Sequence, residues 1–254
     1  QDDARYYSVL AGNVKKAFNK KFYNPETRSY GDFGSNIFAL VLGVPDDRYD
    51  DVVATLKHEI SVKYDNHLNT GIFGTQFFFE TLALNGLNDI AYNAMNQEDF
   101  PSFGNWIKQG ATVTWEKWNG ADSRNHPMFG GGLTWFYRIL AGVNVDAERP
   151  AYEHIIIKPI LDKRLPEVYY SHMTPYGEVV SEIRQTGRNL EMNVTVPVGS
   201  TATIYIPVGG NTSEVTESGI SVRDSKDVRF ERIQDGNCIV RVPQGKYKFK
   251  VDNQ

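Results

Sequence analysis

The chain has 254 residues, of which 41% are hydrophobic, and a formal net charge of −4. This length allows one large domain or two ordinary ones, and the apolar content is sufficient for a core. Acidic and basic residues are interspersed, so neither nucleic acid nor an anionic membrane is an expected partner. The longest apolar run, residues 36–44, is too short to span a membrane.

The common metal and cofactor motifs do not occur in this sequence. HExxH, CxxC, GxGxxG and GxxxxGK[ST] are missing, and the five histidines are scattered, so we expect neither a metal nor a cofactor. Cys238 is the only cysteine, and its apolar neighbours predict a buried strand position. The chain opens without methionine or a signal-peptide pattern, so we expect that an upstream segment is absent from this sequence.

The first half of the chain is predicted to be helical, because apolar residues recur there at helical spacing. The predicted helices cover residues 3–20, 33–42, 46–64, 76–84, 89–96 and 128–141. Breaks at Gly43 and Asn85-Gly86 separate neighbouring helices. Successive helices with short breaks indicate an array of α-hairpins.

The composition changes after Gly142. Strand patterns separated by Gly, Pro and Asn turns cover residues 154–158, 178–184, 190–196, 201–206, 228–233, 238–242 and 246–251. Several short strands in about a hundred residues indicate an antiparallel β-sandwich. We therefore predict a helical domain over residues 1–145 and a β-sandwich over residues 146–254.

The candidate functional residues lie between these halves, in residues 101–129. This stretch contains Trp106, Trp115 and Trp118, three of the four tryptophans, and Glu116 lies between two of them. Aromatic rings can stack on the C–H faces of a sugar, and a carboxylate can hydrogen-bond its hydroxyl groups. The combination is typical of a sugar-binding site.

Asn125 and His126 follow after a short polar loop, which could fold back and add an amide and an imidazole to the same site. The alternative for residues 115–118 is local packing, with tryptophan facing a core and Glu116 pointing outward. Spacing alone does not separate these alternatives. An isolated histidine is also more often structural than functional.

Gly71, Gly74 and Thr75 precede the aromatic-rich helix. They could admit a substrate to the unpaired N–H groups of a helix N-terminus. Such glycines more often permit tight turns and close helix packing.

Five ordered segments carry a family resemblance. They are PSFGNWIKQGATVTWEKW, SRNHPMFGG, HIIIKP, TPYGEV and VTVPVGSTATIYIP. Together they resemble the C-terminal part of bacterial α-L-rhamnosidases of glycoside hydrolase family 78, and the resemblance covers nearly the whole chain. It implies a multidomain fold of α and β structure, in which the second half of an (α/α)6 barrel precedes a β-sandwich.

The family that the chain resembles removes terminal α-L-rhamnose from glycosides with inversion of configuration, using two carboxylates. The resemblance assigns the general base to Glu116 and predicts that a rhamnose-containing glycan or glycoside binds. The expected substrate-binding residues are His126, Trp118, Trp115, Trp106 and Asn125. The resemblance also implies a periplasmic or secreted location for the protein.

One part of the family pattern is missing. The family's general acid belongs to an acidic segment with Trp and Arg in the earlier half of the barrel, and no such segment occurs here. We therefore expect a fragment of a longer enzyme, a proteolytic product, or one half completed by a second chain, and expect the isolated chain to be nearly inactive. The alternatives are a non-catalytic carbohydrate-binding module and a partner-docking fragment.

Overall fold

The computed structural model describes residues 2–187, 189–208 and 214–252, which divide into two compact units. The first unit extends to Leu133 and consists of helices and loops, whereas the second begins at Thr134 and contains the β-sheets. This order confirms the predicted fold class of helical hairpins followed by a β-sandwich.

Six α-helices occur in the described part of the first unit. They are α1 (Asp2–Phe22), α2 (Phe33–Leu42), α3 (Asp46–His58), α4 (Ile72–Leu84), α5 (Asn88–Met95) and α6 (Phe103–Lys108). A π-helical turn, Glu59–Lys63, continues α3. The boundaries follow local signals. Asp32 caps α2 by accepting a hydrogen bond from the Ser35 N–H, and Gly43 ends that helix with φ +107°.

Helix α4 is the centre of this unit and packs against α2, α5 and the 3-10 helix Pro127–Leu133. The rings of Phe78 and Phe79 on α4 are almost completely buried, and Phe78 contacts Phe33 of α2. Helix α1 is much more exposed than α4, since Asn19 is its only buried residue. Its exposed apolar side chains are Tyr6, Tyr7, Val9, Leu10, Val14 and Phe22. No helix in the described ranges is both long and apolar enough to cross a membrane.

The prediction of a single α-helix over residues 128–141 is wrong. The chain instead forms the 3-10 helix Pro127–Leu133 and a separate π-helical segment, Trp135–Leu140. Three consecutive glycines at 130–132 weaken an α-helix. A Cβ at Gly132 would lie 2.9 Å from the ring of Phe79, so this glycine allows the 3-10 helix to approach α4.

The second unit contains eleven strands in two sheets within the described residues. They are β1 (Val143–Val145), β2 (His154–Ile157), β3 (Glu167–Thr174), β4 (Gly177–Thr186), β5 (Asn189–Val196), β6 (Thr201–Pro207), β7 (Glu214–Glu217), β8 (Ile220–Ser221), β9 (Arg229–Gln234), β10 (Asn237–Val242) and β11 (Gly245–Asp252). Their orders are β1-β2-β6-β10-β9 and β3-β4-β5-β11-β7-β8. All pairs are antiparallel except β2–β6, which is parallel.

One apolar cluster joins the two sheets, with Ile155 and Ile204 from the first sheet and Val179 and Phe249 from the second. Cys238 belongs to this cluster, as predicted, and burial raises the pKa of its thiol to about 11. The strands that the sequence patterns missed are β1, β3, β7 and β8. Three of these lie at sheet edges, where exposure removes the alternation of apolar and polar residues.

Candidate active site

Residues 114–126 fold back on themselves and present Glu116. The Glu116 N–H donates to the Ser123 carbonyl at 2.8 Å, and the His126 N–H donates to the Thr114 carbonyl at 2.9 Å. The Thr114 hydroxyl also donates to the His126 carbonyl at 2.6 Å. These bonds hold the two polar segments side by side.

The tip of this loop depends on a left-handed glycine. Gly120 has φ +71°, and its N–H donates to the Lys117 carbonyl at 3.0 Å. A Cβ at Gly120 would lie 2.7 Å from the ring of Trp115, so the backbone approaches this ring closely. Arg124 covers the same ring at 4.6 Å from its centroid and donates to the Gly120 carbonyl at 3.1 Å. The turn is thus held against the aromatic cluster beneath it.

The Glu116 side chain is half-buried and lines an open cleft of about 430 Å³. One of its carboxylate oxygens, Oε2, accepts a hydrogen bond from the Ser123 N–H at 3.2 Å. The other residues that line the cleft are Gly71, Ile72, Phe100, Lys117, Trp118, Asn119 and Phe129. Glu116 is therefore the only carboxylate among the described residues that line this cleft.

The three tryptophans of the central stretch occupy different positions. Trp106 and Trp115 are 2% and 4% exposed and belong to an apolar cluster with Phe129. Trp118 is half-buried and lines the cleft. Its indole N–H donates to the Thr70 carbonyl at 3.1 Å, and its own carbonyl accepts from the Trp106 indole at 2.8 Å. Of the three tryptophans predicted to bind substrate, Trp118 lines the cleft, whereas Trp106 and Trp115 lie in the apolar cluster against which Trp118 packs.

The remaining predicted residues, Asn125 and His126, do not line the cleft. Asn125 is exposed, and its N–H contacts the Ser123 hydroxyl. His126 is half-buried, and its Nδ1 is buried without a hydrogen-bond partner among the described residues. Buried polar atoms usually have a hydrogen-bond partner, so we expect a water or a ligand to bond to this nitrogen. The sugar contacts expected of these two residues stay predictions.

Phe100 lines the cleft although no sequence signal indicated it. Its side chain is 57% exposed, and it follows Asp99, whose carboxylate lies 2.8 Å from Nε2 of His67. Burial opposes protonation of His67, but hydrogen bonds to Asp99 and to the Tyr64 carbonyl outweigh it and raise its pKa. The bond to His67 lowers the pKa of Asp99. This pair ties the segment that carries Phe100 to residues 64–67.

Gly71, at the N-cap of α4, and Gly74, inside this helix, have separate roles. Gly71 lines the cleft at the start of α4. A Cβ at Gly74 would lie 3.0 Å from the Thr70 side chain, so Gly74 permits close packing. The buried Thr75 hydroxyl bonds to Thr70 Oγ1 at 2.7 Å and to the Gly71 carbonyl at 3.0 Å. Only Gly71 therefore remains a candidate for ligand contact.

A helical-hairpin unit that presents a carboxylate and an aromatic ring in one cleft, followed by a β-sandwich, has the architecture of a glycoside hydrolase. Residues 1–140 match the family model described as the bacterial alpha-L-rhamnosidase 6 hairpin glycosidase domain, and residues 142–221 match that of the bacterial alpha-L-rhamnosidase C-terminal domain. The chain belongs to the bacterial α-L-rhamnosidase family.

Solved structures of α-L-rhamnosidases resemble the whole chain. The enzyme from Dictyoglumus thermophilum has a TM-score of 0.88 and 34% identity, with 100% of this chain and 29% of that chain covered. The Streptomyces avermitilis enzyme, solved in complex with L-rhamnose, has a TM-score of 0.83 and 26% identity, with coverage of 98% and 24%. A curated α-L-rhamnosidase from Formosa agariphila is 27% identical over 93% of this chain and 26% of its own length. The chain spans about a quarter of the length of such relatives.

Proposed function

We propose that this chain forms part of an inverting α-L-rhamnosidase and that Glu116 is its general base. The observation that carries this proposal is the Glu116 carboxylate in the open cleft, with the ring of Trp118 beside it. The Ser123 N–H bonds to one carboxylate oxygen and orients the group. A base needs this kind of fixed orientation toward the water that it activates.

Hydrolysis with inversion requires two carboxyl groups with different roles, and Glu116 would be the base. A base deprotonates a water molecule on one face of the sugar ring while an acid on the other face protonates the leaving oxygen. The two carboxyl groups must lie about 6.5–9.5 Å apart to leave room for that water. Glu116 is the only carboxylate among the described cleft residues, so we propose that the general acid is contributed from outside this cleft.

Trp118 is suited to bind the sugar. Its bond to the Thr70 carbonyl and its contact with Phe129, at 4.4 Å between ring centroids, hold the indole in place. A fixed indole can stack on the C–H face of a sugar with little loss of side-chain entropy. The L-rhamnose complex of the Streptomyces avermitilis relative supports rhamnose as the sugar that this cleft binds.

The exposed face of α1 supports completion of the helical domain by further helices. Tyr6 and Tyr7 are each 63% exposed, and Val14 is 51% exposed. An apolar face of this kind is typical of a surface that another element covers. We infer that the rest of a longer polypeptide, or a second chain, packs on α1 and contributes the general acid.

The test is Glu116→Gln in the complete enzyme, assayed with an aryl α-L-rhamnoside. The variant keeps the size of the side chain but removes its basicity, so kcat should fall about 10²- to 10⁴-fold while L-rhamnose binding is retained. Glu98→Gln is the matched control, because Glu98 is an exposed acid of the same unit that does not line the cleft. NMR of the first-formed product should show the β-anomer.

Three outcomes would contradict the proposal. They are a Glu116→Gln variant with near-normal kcat, an α-anomer as the first product, and a complete protein that binds rhamnosides but never cleaves them. The last outcome would favour a non-catalytic carbohydrate-binding role. Rapid hydrolysis by the 254-residue chain alone would contradict the inferred need for a general acid from outside it.

A further inference from the structure

A second pocket lies in the β-sandwich, on the face of the five-stranded sheet that points away from the sandwich core. Its volume is about 220 Å³. Alternation along the strands creates its floor, because Ile155, Ile204 and Val240 point into the core and their neighbours point to the other face. The floor residues are Ile156, Thr203, Tyr205 and Ile239.

A β-bulge supplies one wall of this pocket. Ile239 pairs with Arg232 and Val240 pairs with Phe230, so Glu231 is the extra residue of β9. Its Oε1 atom is buried and has no hydrogen-bond partner among the described residues. Arg229 and Arg241 lie 3.1 and 3.5 Å from this oxygen, but neither contact has hydrogen-bond geometry. The Glu231 carboxylate is thus held near two guanidinium groups in the wall of the pocket, with its side chain 19% exposed.

The loop after β1 supplies the opposite wall. Asp146 forms an ion pair with Arg149 at 3.5 Å, and Glu148 adds an exposed carboxylate. Beneath them, His154 bonds to the hydroxyls of Thr201 and Thr203 through its two ring nitrogens. Burial lowers the pKa of His154, which favours the neutral imidazole.

The charges that line the pocket balance. The three carboxylates, on Asp146, Glu148 and Glu231, are matched by the guanidinium groups of Arg149, Arg232 and Arg241. The carboxylates would repel a polyanion, and the guanidinium groups would repel a simple cation. No cluster of three metal-ligating side chains occurs in the described ranges, so a metal ion is not the expected ligand.

We propose that this pocket, whose lining residues all differ from those of the cleft at Glu116, binds a neutral sugar residue. A sugar ring offers a C–H face to Tyr205, Ile156 and Ile239, and hydroxyl groups that both donate and accept hydrogen bonds. A hydroxyl can donate to the exposed part of the Glu231 carboxylate and accept from the Arg241 guanidinium. The pocket would thereby retain a glycan that carries several sugar residues, whether or not Glu116 is the general base.

The test is the soaking of crystals of the complete protein with L-rhamnose, D-glucose, D-galactose and D-glucuronate, with affinities measured by titration calorimetry. We expect a neutral sugar ring over Tyr205, with binding in the millimolar range. Glu231→Gln should weaken binding at this site about tenfold, because a neutral acceptor replaces a charged one. Tyr205→Ala, which removes the aromatic floor, should abolish it.

Matched controls come from the six-stranded sheet. The side chains of Glu182 and Glu231 are 21% and 19% exposed, and each pairs with arginine. Because Glu182 does not line the pocket, Glu182→Gln should leave binding unchanged. Circular dichroism and thermal melting check that each variant is folded. Absence of a neutral sugar from the pocket, binding of D-glucuronate alone, or equal effects of the two Glu→Gln variants would overturn the proposal.

Discussion

Replacement of Gly120 by alanine should destabilise the loop that presents Glu116. Gly120 has φ +71°, and a residue with a Cβ in this region costs about 1–2 kcal/mol. The new Cβ would also lie 2.7 Å from Cζ3 of Trp115, a ring held between Trp106 and Arg124. Overpacking against a fixed ring costs about 1–3 kcal/mol. We therefore expect a loss of about 2–5 kcal/mol in the free energy of unfolding.

Urea unfolding followed by tryptophan fluorescence measures this loss, because three of the four tryptophans lie in or beside the affected cluster. Gly110→Ala is the matched control. Gly110 has φ +79°, but a Cβ there would meet no atom within 4 Å, so only the backbone cost of about 1–2 kcal/mol applies. Equal stabilities of the two variants would refute the importance of the Trp115 contact. In the complete enzyme, Gly120→Ala should also lower kcat, since the loop orients Glu116.

Two further predictions concern groups around the cleft. The raised pKa of His67 stabilises the fold below about pH 6.5, and this stabilisation is lost as pH rises through the folded-state pKa. Asp99→Asn should lower the His67 pKa in an NMR titration and reduce that loss, and an unchanged titration would contradict the role of the pair. Trp118→Phe removes the donor to the buried Thr70 carbonyl and should cost about 1–3 kcal/mol in urea unfolding. A cost near zero would mean that water replaces the indole N–H.

Local signals in the sequence were sufficient to predict most of the secondary structure. Helix α2 ends at Gly43, as predicted, because glycine adopts φ +107° without strain. The strands with alternating burial, such as β5 and β11, were also predicted from their patterns. The helix over residues 128–141 was mispredicted, because apolar spacing does not reveal that consecutive glycines will pack against α4.

The sequence by itself determined the order of the two units, the family and the candidate carboxylate, since these depend on periodicity and on ordered motifs. Only the tertiary structure decided which tryptophan reaches the cleft. Trp106, Trp115 and Trp118 have similar local surroundings in sequence, but burial depends on contacts with distant elements such as Thr70 and Phe129. The same reason applies to Phe100 and to the pocket at Glu231. Side chains that are far apart in sequence form these sites, and no local pattern encodes their proximity.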